Sequence, residues 1–150
     1  MNIASILAKK GGQVFTVGPA HTIRDALSLL AEHNVGALLV VDGANHPVGM
    51  LSERDVVRRL ARHDTVLDET VESLMTTTLI VGTPGDDLVS VGQTMVEKHI
   101  RHLPVMDGGS LVGLVSIGDV VRAQRDHYQG EVDTLQTVLL ETPGAPASER

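Results

Sequence analysis

The sequence predicts an α/β fold made of two β-α-β-β-α units in tandem, with an extra helix at either end. Three observations carry this expectation. Val17-Gly18 recurs as Val81-Gly82, and Gly49-Met-Leu-Ser52-Glu-Arg-Asp55-Val-Val-Arg58 recurs 64 residues later as Gly113-Leu-Val-Ser116-Ile-Gly-Asp119-Val-Val-Arg122, with six of ten positions identical. A 64-residue spacing that occurs only twice is too long and too short-lived for a solenoid, so it describes two small domains' worth of chain. Around each copy, short continuous apolar runs alternate with segments of helical period, the pattern of strands interleaved with helices. At 150 residues and 42% hydrophobic content, the chain suits one domain or two half-domains that share a core.

The elements follow in order. Residues 1–10 read as a short helix with Ile3, Ile6 and Leu7 on one face, stopped by Gly11-Gly12. A strand over 14–17 is broken by Gly18-Pro19. Thr22 is placed to cap a helix whose Ile23, Ala26, Leu27 and Leu30 obey the i, i+3, i+4, i+7 rule. Residues 37–41 form an apolar run ended by Asp42-Gly43, a buried strand, and a turn through Asn45-His46-Pro47 leads to its partner over 48–51. Ser52 then opens a helix to about Ala61.

The second unit repeats this order: a strand over 79–81, a helix over 86–98 with Leu88, Val91 and Met95 inward, a strand over 103–106, a turn at Asp107-Gly108-Gly109 and a strand over 111–115. The offset is 65 between Ile23/Leu88 and Asp42/Asp107, and a turn one residue shorter restores 64. The chain therefore divides into an N-terminal helix (1–13), a first repeat (14–62), a linker with a short helix at 71–75 (63–78), a second repeat (79–125), a helical extension (126–140) and a disordered tail (141–150). In the extension, Val121, Tyr128, Leu135 and Val138 make a heptad-like stripe that could pack on the N-terminal helix or on a second copy of the chain.

Composition excludes several functions. The formal net charge of −7 opposes a nucleic-acid-binding footprint, and with no Trp, one Phe and one Tyr there is no platform for stacking bases. No apolar run approaches the roughly 20 residues of a membrane span. Lys9 and Lys10 follow the first apolar stretch, the wrong order for a secretory leader, so a cytoplasmic location is expected. The absence of cysteine rules out disulfides, thiol catalysis and cysteine-held zinc.

Ser52-x-x-Asp55 and Ser116-x-x-Asp119 are the residues best placed for chemistry. Each approximates a capping box, and an acid in a helix's first turn suits the dipole, so both copies have a purely structural reading. Both, however, carry Asp where the box prefers Glu or Gln, and both follow a strand entered through glycine (Gly49, Gly113), where backbone can approach a ligand. A helix start also offers free N–H groups to an anion, and an ionised Asp can accept two hydrogen bonds from vicinal ribose hydroxyls.

The doubled Gly-x-x-Ser-x-x-Asp, the β-α-β-β-α order and the segment His99-Ile-Arg-His-Leu-Pro-Val105 together resemble a tandem pair of cystathionine β-synthase (CBS) domains, over roughly residues 14–125. The resemblance implies two repeats packed by their sheets about a pseudo-twofold axis, often in dimers. It implies an adenosine-containing ligand (AMP, ADP, ATP or NAD(H)) between them, with Asp on the ribose and Ser nearby. It further implies that basic residues of one repeat's central strand reach phosphates held at the other repeat's Asp. The Asp55 site would then have Arg101 and His102, besides its own Arg54, while the Asp119 site would face Gly36 and Ala37. Such a protein would be a regulatory sensor without catalysis, signalling to a partner protein; the alternative is a ligand-free dimeric scaffold. His99-x-x-His102 has no acid-plus-histidine set to complete a metal shell, and no nucleophile elbow, phosphate loop or carboxylate pair suggests an enzyme.

Overall fold

In the computed structural model, which describes residues 1–141, the chain forms α1 (Ile3–Lys10), β1 (Thr16–Val17), α2 (Ile23–His33), β2 (Ala37–Val41), β3 (Pro47–Ser52), α3 (Glu53–Leu60), α4 (Val71–Leu74), α5 (Leu88–Glu97), β4 (His102–Asp107), β5 (Ser110–Ser116) and α6 (Ile117–Glu141). The first sheet has order β1-β2-β3, with β1 parallel and β3 antiparallel to β2; the second is the antiparallel pair β4-β5. Thr22 caps α2 through a full capping box with Asp25, and Asn34 ends that helix in the left-handed region at φ 51°. His99 does the same after α5 at φ 56°. Gly108 and Gly109, both with positive φ, close β4 to β5, the conformation a two-residue hairpin turn demands.

Strand alternation sorts the side chains into three layers. Leu38, Val40 and Leu51 join Ile23, Ala26, Leu30 and Val56 in the core of the first repeat. Leu103, Val105 and Val115 join Leu88, Val91, Met95 and Val120 in that of the second. The opposite faces, Ala37, Leu39 and Met50 with Leu79, Leu111 and Leu114, meet as a third apolar layer between the sheets. The expected sheet-to-sheet packing of two α/β repeats is thus present.

Each core is closed by the helix that precedes the other repeat. Ile3 and Ile6 of α1 are buried in the second repeat, and Val66 and Val71, from the linker and α4, in the first. The backbone repeats the exchange: Val71 N–H donates to His21 O and Glu72 N–H to Pro19 O, matched by Ile3 N–H to Asp86 O and Ala4 N–H to Pro84 O. At eight residues α1 is too short to be stable alone, and burying two isoleucines, worth roughly 1.5–3 kcal/mol each, holds it in place.

Three expectations need correction. Residues 79–81 are not a strand; one parallel bridge, Gly82 to Val105, stands where the first repeat has β1. In the first repeat Leu39 N–H donates to Phe15 O, but the corresponding position of β4 is Pro104, which has no N–H. The bridge also realigns the repeats. Val17 pairs with Val40 and is buried, Gly82 pairs with Val105, and Val81 is exposed, so the 65-residue offset already holds at β1. Of the two readings of the α6 stripe, packing on α1 is not the one found: Val121, Tyr128, Leu135 and Val138 are all exposed. The helix runs one residue past the expected limit to Glu141, and the expected disordered tail otherwise lies outside the described residues.

Candidate ligand cleft

Both motif copies sit at a strand-to-helix junction and both form the cap that their spacing allows. Ser52 N–H and Oγ donate to Asp55 Oδ2 at 2.8 and 3.1 Å. Ser116 N–H donates to Asp119 Oδ2 at 2.8 Å, and Asp119 N–H returns a 3.1 Å bond to Ser116 Oγ. Each carboxylate thus lies in the first turn of its helix, against the positive dipole end. Gly49 and Gly113 let the preceding strands be covered closely: a Cβ on Gly49 would meet Met75 Sδ at 2.5 Å, and one on Gly113 would meet the Leu7 side chain at 2.6 Å.

A cleft of about 1080 Å³ opens beside the first motif. Ser52, Arg54 and Asp55 line it from the first repeat, and Arg101 and His102 from the second. Five of the seven sequence-selected residues therefore come together, including the pair that must cross from one repeat to the other. Ile117 N–H donates to Arg101 O as Glu53 N–H donates to Gly36 O, which pins the start of each central strand beside its own motif. At that start the second repeat has Arg and His where the first has Gly36 and Ala37.

Arg58, Lys98 and His99 also line the cleft, together with Thr76, Thr78, Leu79 and Ile80. The formal cations Arg54, Arg58, Lys98 and Arg101 face the acids Glu53 and Asp55, leaving a surplus of positive charge in a protein whose net charge is −7. A phosphate-bearing ligand is the chemistry such a surplus favours. Arg58 was readable in advance, since it recurs as Arg122 and lies one turn beyond Asp55 on the same face. The Thr76–Thr78 contribution was not, because it depends on the linker turning extended, with Thr76 bridged to Met50. His102 is held below the ordinary 6.5 by burial, then by the Lys10 charge; Asp119 pulls the other way and Arg101 adds to the lowering.

Ser116 and Asp119, the remaining two selected residues, lie apart from this cleft. Asp119 Oδ2 accepts Lys10 Nζ at 2.6 Å and Oδ1 accepts Arg122 at 2.6 Å, with only 10% of the Asp119 side chain exposed. Burial pushes its carboxyl up, but the bonds from Lys10 and Ser116 and the Lys10 charge outweigh it and hold the group below the ordinary 3.8. Among the described residues there is no cluster of three or more His, Asp or Glu able to hold a metal, and no helix long and apolar enough to cross a membrane.

A cleft between two sheet-packed repeats, with a carboxylate from one and cations from the other, defines a tandem-repeat α/β module with a shared cleft. The CBS domain family model matches residues 5–62 and again 71–126, and the chain belongs to that family. It is 40% identical over 108 residues to the CBS domain-containing protein YhcV of Bacillus subtilis, covering 72% of this chain and 76% of that one. Among solved structures it resembles a CBS domain protein of Pyrobaculum aerophilum complexed with AMP (TM-score 0.70, 27% identity, 79% of this chain and 89% of that one). It also resembles the CBS domain pair of protein MJ0100 in complex with 5′-methylthioadenosine and S-adenosyl-L-methionine (TM-score 0.74, 25% identity, 85% and 98%).

Proposed function

We propose that this chain is a regulatory module that binds an adenosine-containing nucleotide (AMP, ADP, ATP or NAD(H)) in the Asp55 cleft and reports its occupancy to a partner protein, with no catalysis of its own. The observation that carries the reading is the meeting of Asp55 with Arg101 and His102 across the repeat boundary. Asp55 would accept the ribose hydroxyls beside Ser52, and Arg54, Arg101 and His102 would face phosphate. Ser116 and Asp119 form the second, related position. The AMP and methylthioadenosine complexes of the two similar proteins support the ligand class. Ligand bridging two repeats would stabilise the closed arrangement by its differential affinity, the physical basis of a sensor. The exposed α6 stripe supports a second reading, a dimeric scaffold in which a second copy or a partner covers that helix.

Calorimetry with AMP and 2′-deoxy-AMP tests the first reading. AMP should bind, the deoxy form should bind at least tenfold more weakly, and Asp55→Ala should abolish the difference. Stability of that variant should fall by no more than the roughly 0.5–2 kcal/mol of a lost cap. Equal binding of the two nucleotides would remove the ribose role of Asp55, and failure of AMP, ADP, ATP and NAD(H) at millimolar concentration would leave the scaffold reading.

A further inference from the structure

We propose that the last turn of α1 is an internal latch: Lys10 holds the Asp119 carboxylate, so that carboxylate is withheld from a ribose and each chain takes a single nucleotide, at Asp55. This rests on the ribose reading of the motif. The two cores show where the latch comes from. Leu7 covers Gly113 as Met75 covers Gly49, and Phe15 O occupies the position on β2 that Ile80 O would occupy on β4 were Pro104 able to donate. Eight residues separate Leu7 from Phe15, whereas five separate Met75 from Ile80. The three extra residues are spent on helix, about one turn. Thus α4 stops at Leu74 and the chain runs on extended, with Thr76 and Thr78 lining the open cleft. In contrast α1 continues to Lys10 before Gly11, at φ 89°, ends it.

That added turn aims an ammonium at the second motif. Lys10 Nζ donates to Asp119 Oδ2 at 2.6 Å and to Leu114 O at 2.7 Å, while Arg122 takes Oδ1. Both carboxylate oxygens that would accept a ribose diol are therefore engaged by cations. Among the described residues, the bonds to the Asp55 carboxylate come from Ser52, within the motif itself. Because Ile3 and Ile6 anchor α1 in the core, the latch is fixed by the helix and not by the long side chain alone.

Equilibrium dialysis of the full chain against AMP, and against adenosine as a probe without phosphate, tests the latch. Wild type should bind one AMP per chain, and D55A should bind it at least tenfold more weakly. In the D55A background, K10M should gain one equivalent of adenosine, whereas K10R, which keeps a cation, should not. Adding D119N to K10M/D55A should remove that equivalent. Two equivalents in wild type would overturn the latch, as would a K10M/D55A chain that melts cooperatively yet takes up no adenosine; K10Q serves in the same role if the methionine variant does not fold. AMP uptake indifferent to D55A would instead refute the Asp55 reading, and Asp119-dependent uptake in K10M would still support the latch.

Discussion

Asp55 and Asp119 begin equivalent helices, follow equivalent strands and bind their own serines at the same 2.8 Å backbone distance, yet their surroundings have diverged. Asp55 opens onto a cleft with cations from the other repeat, and Asp119 is held by Lys10 and Arg122. The local motif therefore does not decide between cap and ligand site, since it serves as a cap in both places. Part of the difference lies within the motif, where Arg54 stands against Gly118, and the rest is supplied from elsewhere: two residues at the start of a central strand, and the length of the helix that precedes the opposite repeat. A duplicated fold can keep its core symmetric while such peripheral segments make its two faces unequal.

The largest effect expected from breaking this asymmetry is at Arg101. If its guanidinium contacts phosphate, Arg101→Ala should weaken AMP on the order of ten- to a hundredfold, because a hydrogen bond between charged groups contributes about 1.5–3 kcal/mol. Adenosine, lacking phosphate, should bind the variant and the wild type alike, and calorimetry with both ligands separates the two outcomes. Equal loss for both would mean that Arg101 shapes the cleft and does not read phosphate.

How much of this was legible in the sequence depends on distance along the chain. The doubled Ser-x-x-Asp, the capping by Thr22 and the inward positions of both long repeat helices follow from local spacing, and each is found as expected. The loss of a third strand in the second repeat was readable too, in Pro104, but only once β4 was known to need a donor on that edge. Arg101 and His102 reached the Asp55 cleft in the sequence reading through the family resemblance alone, since nothing local links residues so far apart. The Lys10–Asp119 pair, 109 residues apart, had no sequence signature at all. It needs α1 to dock on the second repeat and not on the first, a consequence of the exchanged packing.

A smaller effect is expected at the glycines that admit the covering segments. Gly49→Ala would press on Met75 Sδ and, at 3.1 Å, on the Thr76 carbonyl, which is fixed by its bridge to Met50. At Gly113 the three atoms nearest to an added Cβ all belong to the Leu7 side chain, whose methyl groups, the two nearest, can rotate away. Overpacking costs about 1–3 kcal/mol where neighbours cannot yield, so denaturant unfolding should show the larger loss for Gly49→Ala. A larger loss at Gly113 would show α1 to be the more rigid of the two covers.

The smallest effect lies in acid. The folded-state pKa of Asp119 is depressed, so the folded chain holds fewer protons there than the unfolded chain once pH falls below the ordinary 3.8. Its stabilising contribution is therefore complete above that value and is lost as pH falls through the folded pKa. His102 is also depressed, which puts a separate loss in a higher window, beginning below the ordinary 6.5, where the unfolded histidine protonates first. His102→Gln should flatten that upper limb, and Asp119→Asn the lower one. The Lys10 side chain is 38% exposed, which limits an ion pair of this kind to about 1 kcal/mol or less. Unfolding curves taken from pH 7 down through the acid limb should therefore show wild type and Asp119→Asn approaching each other at the acid end, with Lys10→Met removing only the part of that limb that Lys10 supplies, since Ser116 still bonds the carboxylate. An acid limb unchanged by either substitution would mean that the two groups are not paired in solution, and the inequality of the two positions would then rest on Arg54, Arg101 and His102.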